Sequence, residues 1–134
     1  MAKFTWSSDL ETGDQNVDYQ HKKIVNYINL LETTLKTKEA PQSLLKNIIF
    51  GIIDYAEFHF TDEEVILTTI DYPHLQMHQK AHTDFVEQIQ KLKSRFENNE
   101  DIRRDLHLLL TEWFKSHINQ EDKRAFAFIK TAKG

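Results

Sequence analysis

The sequence predicts an all-α protein, an antiparallel up-down-up-down four-helix bundle with an irregular N-terminal arm. Three observations predict it. Three glycines and two prolines among 134 residues leave long stretches without helix breakers. Apolar residues recur at alternating steps of three and four along four segments, the period of an amphipathic helix. The breaks between those segments are short, and short connections make consecutive helices antiparallel neighbours.

Residues 1–17 lack that period: Phe4, Trp6 and Leu10 stand among polar residues, and Gly13-Asp14 reads as a turn. This stretch is expected to pack across the bundle as an arm. The first helix is expected from near Asp18, a suitable N-cap, with Ile24, Ile28, Leu31 and Leu35 on one face. Pro41 suits the first turn of the second helix, whose inward stripe reads Leu45, Ile49, Ile52, Ala56 and Ile66. Ile70-Asp71-Tyr72-Pro73 interrupts the pattern before the third, with its stripe of Leu75, Phe85, Ile89, Leu92 and Phe96. The polar run Glu97-Asn98-Asn99-Glu100 turns into the fourth. That helix carries Ile102, Leu106, Leu109, Leu110 and Trp113, then Phe126, Phe128 and Ile129. No repeat, low-complexity tract or linker divides the chain. Residues 1–134 therefore read as one domain, with the bundle from about 18 to 131.

Composition narrows the function classes. A net charge of −4 offers no basic surface for nucleic acid or for an anionic membrane. The lack of cysteine excludes disulfides, thiolate zinc sites and iron–sulfur clusters. No stretch approaches the roughly 20 apolar residues that span a bilayer, and Met1–Trp6 lacks the apolar run of a secretion signal. A cytoplasmic protein is expected. Outward positions are mostly Lys, Glu, Gln and Thr, so a monomer is expected too.

Of the seven histidines, five fall on the apolar stripes. His21 precedes Ile24 and Ile28 in the first helix. His59 continues Ile52 and Ala56 in the second, and Glu63 follows it at i+4. His78 and His82 lie between Leu75 and Phe85 in the third. His117 comes four residues after Trp113 in the fourth. Residues four apart lie roughly one above the other on a helix, so every helix aims at least one imidazole inward. Burying so many polar groups without partners would cost on the order of a few kcal/mol each. Metal coordination is the simplest compensation, and imidazole suits zinc, copper, iron and nickel.

Six inward donors exceed the four of a structural zinc site. Asp122 is a seventh candidate, five residues after His117, which is about 140° around an ideal helix. A widened turn near Ile118-Asn119-Gln120 would bring it into line; otherwise it is a solvated acid between Glu121 and Lys123. Seven ligands with two bridging carboxylates would suit a dinuclear centre with one open position. Glu64 is a poorer bridge than Glu63, being i+5 from His59 and about 100° from Glu63. His74 follows Pro73 off the His78–His82 stripe, and His107 falls outside the His117 row. Neither is expected to touch metal.

Taken together, Asp18-Tyr19-Gln20-His21, His59-Phe60-Thr61-Asp62-Glu63-Glu64, Tyr72-Pro73, His78 with His82 and Phe85, and Trp113-Phe114 with His117-Ile118 and Asp122 resemble the hemerythrin family of the bacterial single-domain type over nearly the whole chain. The resemblance implies a non-haem di-iron site. His78, His82 and His117 would bind one iron, and His21 and His59 the other. Glu63, Asp122 and an oxo or hydroxo group would bridge them. Dioxygen would bind at the iron holding two histidines and leave again as dioxygen. Phe114 and Ile118 would wall the oxygen pocket, and Trp113 would help to screen the irons. Leu67 stands where the family commonly has methionine, and Phe114 where it commonly has leucine. The function expected is oxygen carriage or storage without catalysis. The rivals are a peroxidase-like or ferroxidase-like di-iron enzyme and an oxygen or iron sensor. Ferritin-like di-iron enzymes use mostly glutamates with Glu-x-x-His pairs, and no such inward pair is seen here.

Overall fold

The protein is described from a computed structural model that covers residues 11–13 and 15–132, apart from the side chains of residues 16, 119, 130 and 132. Its helices are α1 (Gln15–Thr34), α2 (Gln42–Thr69), α3 (Leu75–Glu97), α4 (Arg103–Trp113) and α5 (Lys123–Ala132). A π-helical segment, Phe114–Asp122, joins α4 to α5, so these form one long fourth rod. α1 packs on α2 and α4, and α3 packs on α2 and α4, which closes the expected bundle. Among the described residues no strand occurs, and no helix is long and apolar enough to cross a membrane.

Each boundary has a local cause. Pro41 occupies the N-cap of α2, where a missing N–H costs nothing. Asp71 and Asn99 take positive φ, 55° and 65°, and turn the chain after α2 and α3; these short polar side chains tolerate that conformation. The last turn of α1 carries no basic residue. Its end is held from another helix: the buried Arg103 donates to the carbonyls of Thr34, Thr37 and Lys38 while Asp101 grips the same guanidinium. That clamp ties the end of α1 and the turn after it to α4. Gly51 leaves room for the Tyr27 side chain of α1, whose hydroxyl would overlap a methyl group there.

Two readings are corrected. α1 begins at Gln15 and not near Asp18, so residues 15–17 belong to the bundle and not to an arm. Asp18 lies buried in the first turn, where its Oδ1 accepts from the Thr12 backbone N–H and hydroxyl at 2.8 and 2.9 Å. It therefore ties the incoming chain to the helix instead of capping it. Gly13 has the positive φ, 94°, of a turn, while Phe4, Trp6, Leu10 and Asp14 lie outside the described residues. In α2, Leu67 and not Ile66 continues the inward stripe. The rhythm Ala56, Phe60, Glu63, Leu67 keeps steps of three and four, and Ile66 falls to its edge.

The core has two apolar layers. The larger contains Ile24, Ile28, Ile52, Phe60, Phe85, Leu110 and Ile118; the smaller contains Val17, Leu67, Tyr72, Ala125, Phe126 and Ile129. On three rods an inward polar residue falls between the two layers: His21 between Val17 and Ile24, Glu63 between Phe60 and Leu67, Asp122 between Ile118 and Ala125. A polar stratum is thus sealed above and below by hydrocarbon.

Candidate metal centre

The structure brings His21, His59, Glu63, His78, His82, His117 and Asp122 into that stratum, each at most 2% exposed. α1 supplies His21, α2 supplies His59 and Glu63 one turn apart, and α3 supplies His78 and His82 one turn apart. The fourth rod supplies the remaining two through its π-helical segment. Its i→i+5 hydrogen bonding widens the turn, which brings His117 and Asp122 to the same side. Their Nε2 and Oδ1 atoms are 3.1 Å apart.

All five imidazoles converge through Nε2. On one side, Asp122 Oδ1 lies 3.1 Å from Nε2 of both His78 and His117, and Glu63 Oε1 contacts His78 and lies 3.3 Å from His82 Nε2. The His82 and His117 nitrogens are 3.1 Å apart. On the other side, Asp122 Oδ2 is 3.0 Å from His21 Nε2, and Glu63 Oε2 is 3.0 Å from His59 Nε2. Each carboxylate therefore divides its two oxygens between two groups of imidazoles. Either group is compact enough to hold one metal ion.

Several close approaches are not hydrogen bonds. His21 Nε2, His59 Nε2, Glu63 Oε2 and both Asp122 oxygens are buried within about 3 Å of one another's groups, yet none has a hydrogen-bond partner. Buried polar atoms are nearly always paired. Neighbouring lone pairs that aim at a common point, rather than at each other, fit a shared cation. The residues present therefore fit a pair of metal ions.

The charges agree. Burial and the adjacent Asp122 both push the Glu63 carboxyl up, but His59, His78 and His82 overcome them and hold it down at about 2. Burial also opposes ionisation of Asp122, and the surrounding His117, His21 and His78 nevertheless keep it well below the usual carboxylate range. His78 is disfavoured as a cation by burial, yet the two carboxylates raise it to about 10. Burial lowers His117 against the pull of Asp122. Without metal, then, the centre carries two carboxylates and keeps a proton where a cation belongs.

Aromatic plates fix the rings. Trp113 stacks on His117 at 3.9 Å, Phe60 on His82 at 3.8 Å, and Tyr55 on His59 at 4.9 Å. Burial, then the charge of Asp122, raise the Tyr55 phenol well above its ordinary value, so it stays neutral and accepts from Trp113 Nε1 at 3.4 Å. The stacking of Tyr55 and Trp113 was readable as i−4 from a histidine; that of Phe60 crosses between helices.

His74 is exposed and His107 is part-buried, and neither joins the cluster. Glu64 has a role that its spacing did not announce. Its Oε2 accepts from His82 Nδ1 at 2.9 Å, which leaves Nε2 free to face the centre. Glu64→Ala is expected to hold both metals at saturation but to release one to a chelator roughly 10-fold faster, the low end for loss of such a partner. Glu64→Gln, still an acceptor, should fall between. Equal release by all three proteins would mean that Glu64 does not orient His82.

The fold and this site define a four-helix bundle with a buried histidine-rich cluster that could hold a pair of metal ions, two carboxylates standing between its halves. Residues 12–129 match the hemerythrin HHE cation binding domain, and the chain belongs to the hemerythrin family. It is 35% identical over 122 residues to a bacteriohemerythrin of Pseudomonas paraeruginosa, covering 91% of this chain and 78% of the relative. A bacteriohemerythrin of Clostridium acetobutylicum is 29% identical over 90% of this chain and 96% of its own. A myohemerythrin of Theromyzon tessulatum is 29% identical over 89% and 88%. The cofactor of this family is a non-haem iron pair, and the buried donor set fits it.

Proposed function

We propose that the centre binds dioxygen reversibly and that the chain works as an oxygen carrier or store, not as an enzyme. The observation that carries this is the unequal division of donors. His78, His82 and His117 with Glu63 Oε1 and Asp122 Oδ1 offer five atoms to one metal. His21, His59 and Asp122 form the other group, and Glu63 Oε2, 3.0 Å from His59 Nε2, brings its donors to at most four. The second position is one donor short, which is where a small ligand would sit. When bound, the iron pair supplies the two electrons that hold dioxygen and takes them back on release.

The chain's own residues govern whether that exchange stays reversible. The five imidazoles are neutral donors, which support high-valent iron less than carboxylates do and so disfavour cleavage of the O–O bond. Phe114 and the fully buried Ile118 lie in the larger apolar layer on the segment that carries His117. They would wall the pocket against water and anions, with Trp113 covering the His117 side. Glu64 keeps the proton of His82 on Nδ1.

The test is a cycle of air and vacuum on anaerobically loaded iron(II) protein. A visible band that grows with dioxygen and fades on its removal, over several cycles, is expected. Irreversible bleaching on the first exposure would replace carriage by oxidase-like or storage chemistry.

A further inference from the structure

A hydrated divalent cation cannot cross the two apolar layers that seal the centre, because dehydrating a charge into hydrocarbon is prohibitive. Metal must enter from the side, and among the described residues an opening leads there. A cavity of about 340 Å³ between α1 and α2 is lined by Val17, Gln20, His59, Asp62, Glu63 and Val65, with Ile66 beside them. His59 and Glu63, 2% and 1% exposed, form its inner wall, and their Nε2 and Oε2 atoms lack hydrogen-bond partners. Asp62 is exposed at its rim. His59, Asp62 and Glu63 stand at i, i+3 and i+4 on α2, so they share one side of the helix. The lining contains no cationic side chain.

The larger groove between α3 and α4, about 650 Å³, is different. Its lining includes none of the seven clustered residues, and Trp113, stacked flat on His117, closes its floor. Its wall mixes Lys91 and Arg95 with Asp84, Asp105 and Glu112, away from the cluster. Size alone would favour this groove; chemistry favours the smaller cavity.

We infer that the cavity between α1 and α2 is the port by which divalent metal ions load the centre, with Asp62 as the carboxylate that first draws the cation in before His59 and Glu63 receive it. The inference rests on reading the cluster as a metal centre. Asp62 acts on rate and not on final occupancy, because it is not among the residues that converge inside.

Stopped-flow uptake of cobalt(II) by the metal-free full chain, without oxygen, tests it. Asp62→Lys is expected to slow uptake about 10-fold at low salt, the modest end of electrostatic steering, and Asp62→Asn by less. Both should still reach the wild-type end point of two ions per chain, and the difference should shrink as salt screens the mouth. Glu112→Lys, in the α3–α4 groove, should load at the wild-type rate. Unchanged rates in the Asp62 variants, or slowing by Glu112→Lys instead, would overturn the port. A wild-type chain that takes up no cobalt would remove the metal-centre reading and the port with it.

Discussion

Asp122→Ala is expected to reduce the iron content from two per chain to one or fewer and to abolish any spectral sign of a coupled pair. Asp122 is fully buried, with one oxygen 3.1 Å from His78 and His117 and the other 3.0 Å from His21. Its loss removes one oxygen from each group of donors, and the weaker two-histidine side suffers more. Asp122→Asn should fail similarly, since an amide offers one lone-pair atom and turns N–H donors toward the other cation. Helical content should persist, because the residue sits at the end of a segment held by Ile118 and Ala125 on either side. His74→Ala and His107→Ala, outside the cluster, should retain both irons. Iron analysis alongside circular dichroism distinguishes these outcomes. An Asp122→Ala protein that keeps two coupled irons would show that this carboxylate does not bridge.

Removing the metal is expected to lower the melting temperature by about 10–20 °C. A net binding contribution of roughly 5 kcal/mol, well under the values seen for structural zinc, has that effect at about 2–4 °C per kcal/mol for a chain of this size. The metal-free protein is not left wholly uncompensated, because His78 holds a proton between Glu63 and Asp122. Its pKa is raised from 6.5 to about 10 on folding, so that pairing stabilises the metal-free fold fully below pH 6.5 and is lost as pH rises through 10. The metal-free melting temperature should therefore fall between pH 7 and 10. The iron-loaded protein, where the cation replaces this proton, should lack that decline. Melting curves with and without iron across this range provide the check; coincident curves would mean that the imidazoles are satisfied without metal.

Much of the bundle was legible because its signal is periodic. Four stripes at steps of three and four located the helices, and Pro41 and the Ile70–Pro73 break located two of the connections. The inward histidines were legible for the same reason, being polar residues at apolar positions. What escaped depends on tertiary contact. Asp18 is a good N-cap by type, yet Thr12 claims its carboxylate and the helix begins three residues earlier. Arg103 sits in sequence far from the α1 terminus that it clamps. Glu64 was set aside as a bridge because it points about 100° away from Glu63, and that same offset lets it reach His82 on the neighbouring helix.

Asp122 marks the boundary between the two kinds of information. Its i+5 spacing is wrong for an α-helix and right for a π-helix, and residue type alone does not announce which will form. The decision is made by packing: a π-helical segment from Phe114 to Asp122 turns both His117 and Asp122 toward the imidazoles of α1 and α3. Such segments recur at functional sites, here because the widened turn brings an i+5 pair of donors to one side, where a regular helix would turn the second away.

Two iron ions are proposed to lie between the split oxygens of Glu63 and Asp122. Anomalous diffraction at the iron edge, from crystals of anaerobically loaded protein, tests it most directly. Two peaks about 3.5–4 Å apart, the usual spacing of a two-metal site, are predicted, one among His78, His82 and His117 and the other beside His21 and His59. A single peak, or two peaks not joined by these carboxylates, would contradict it.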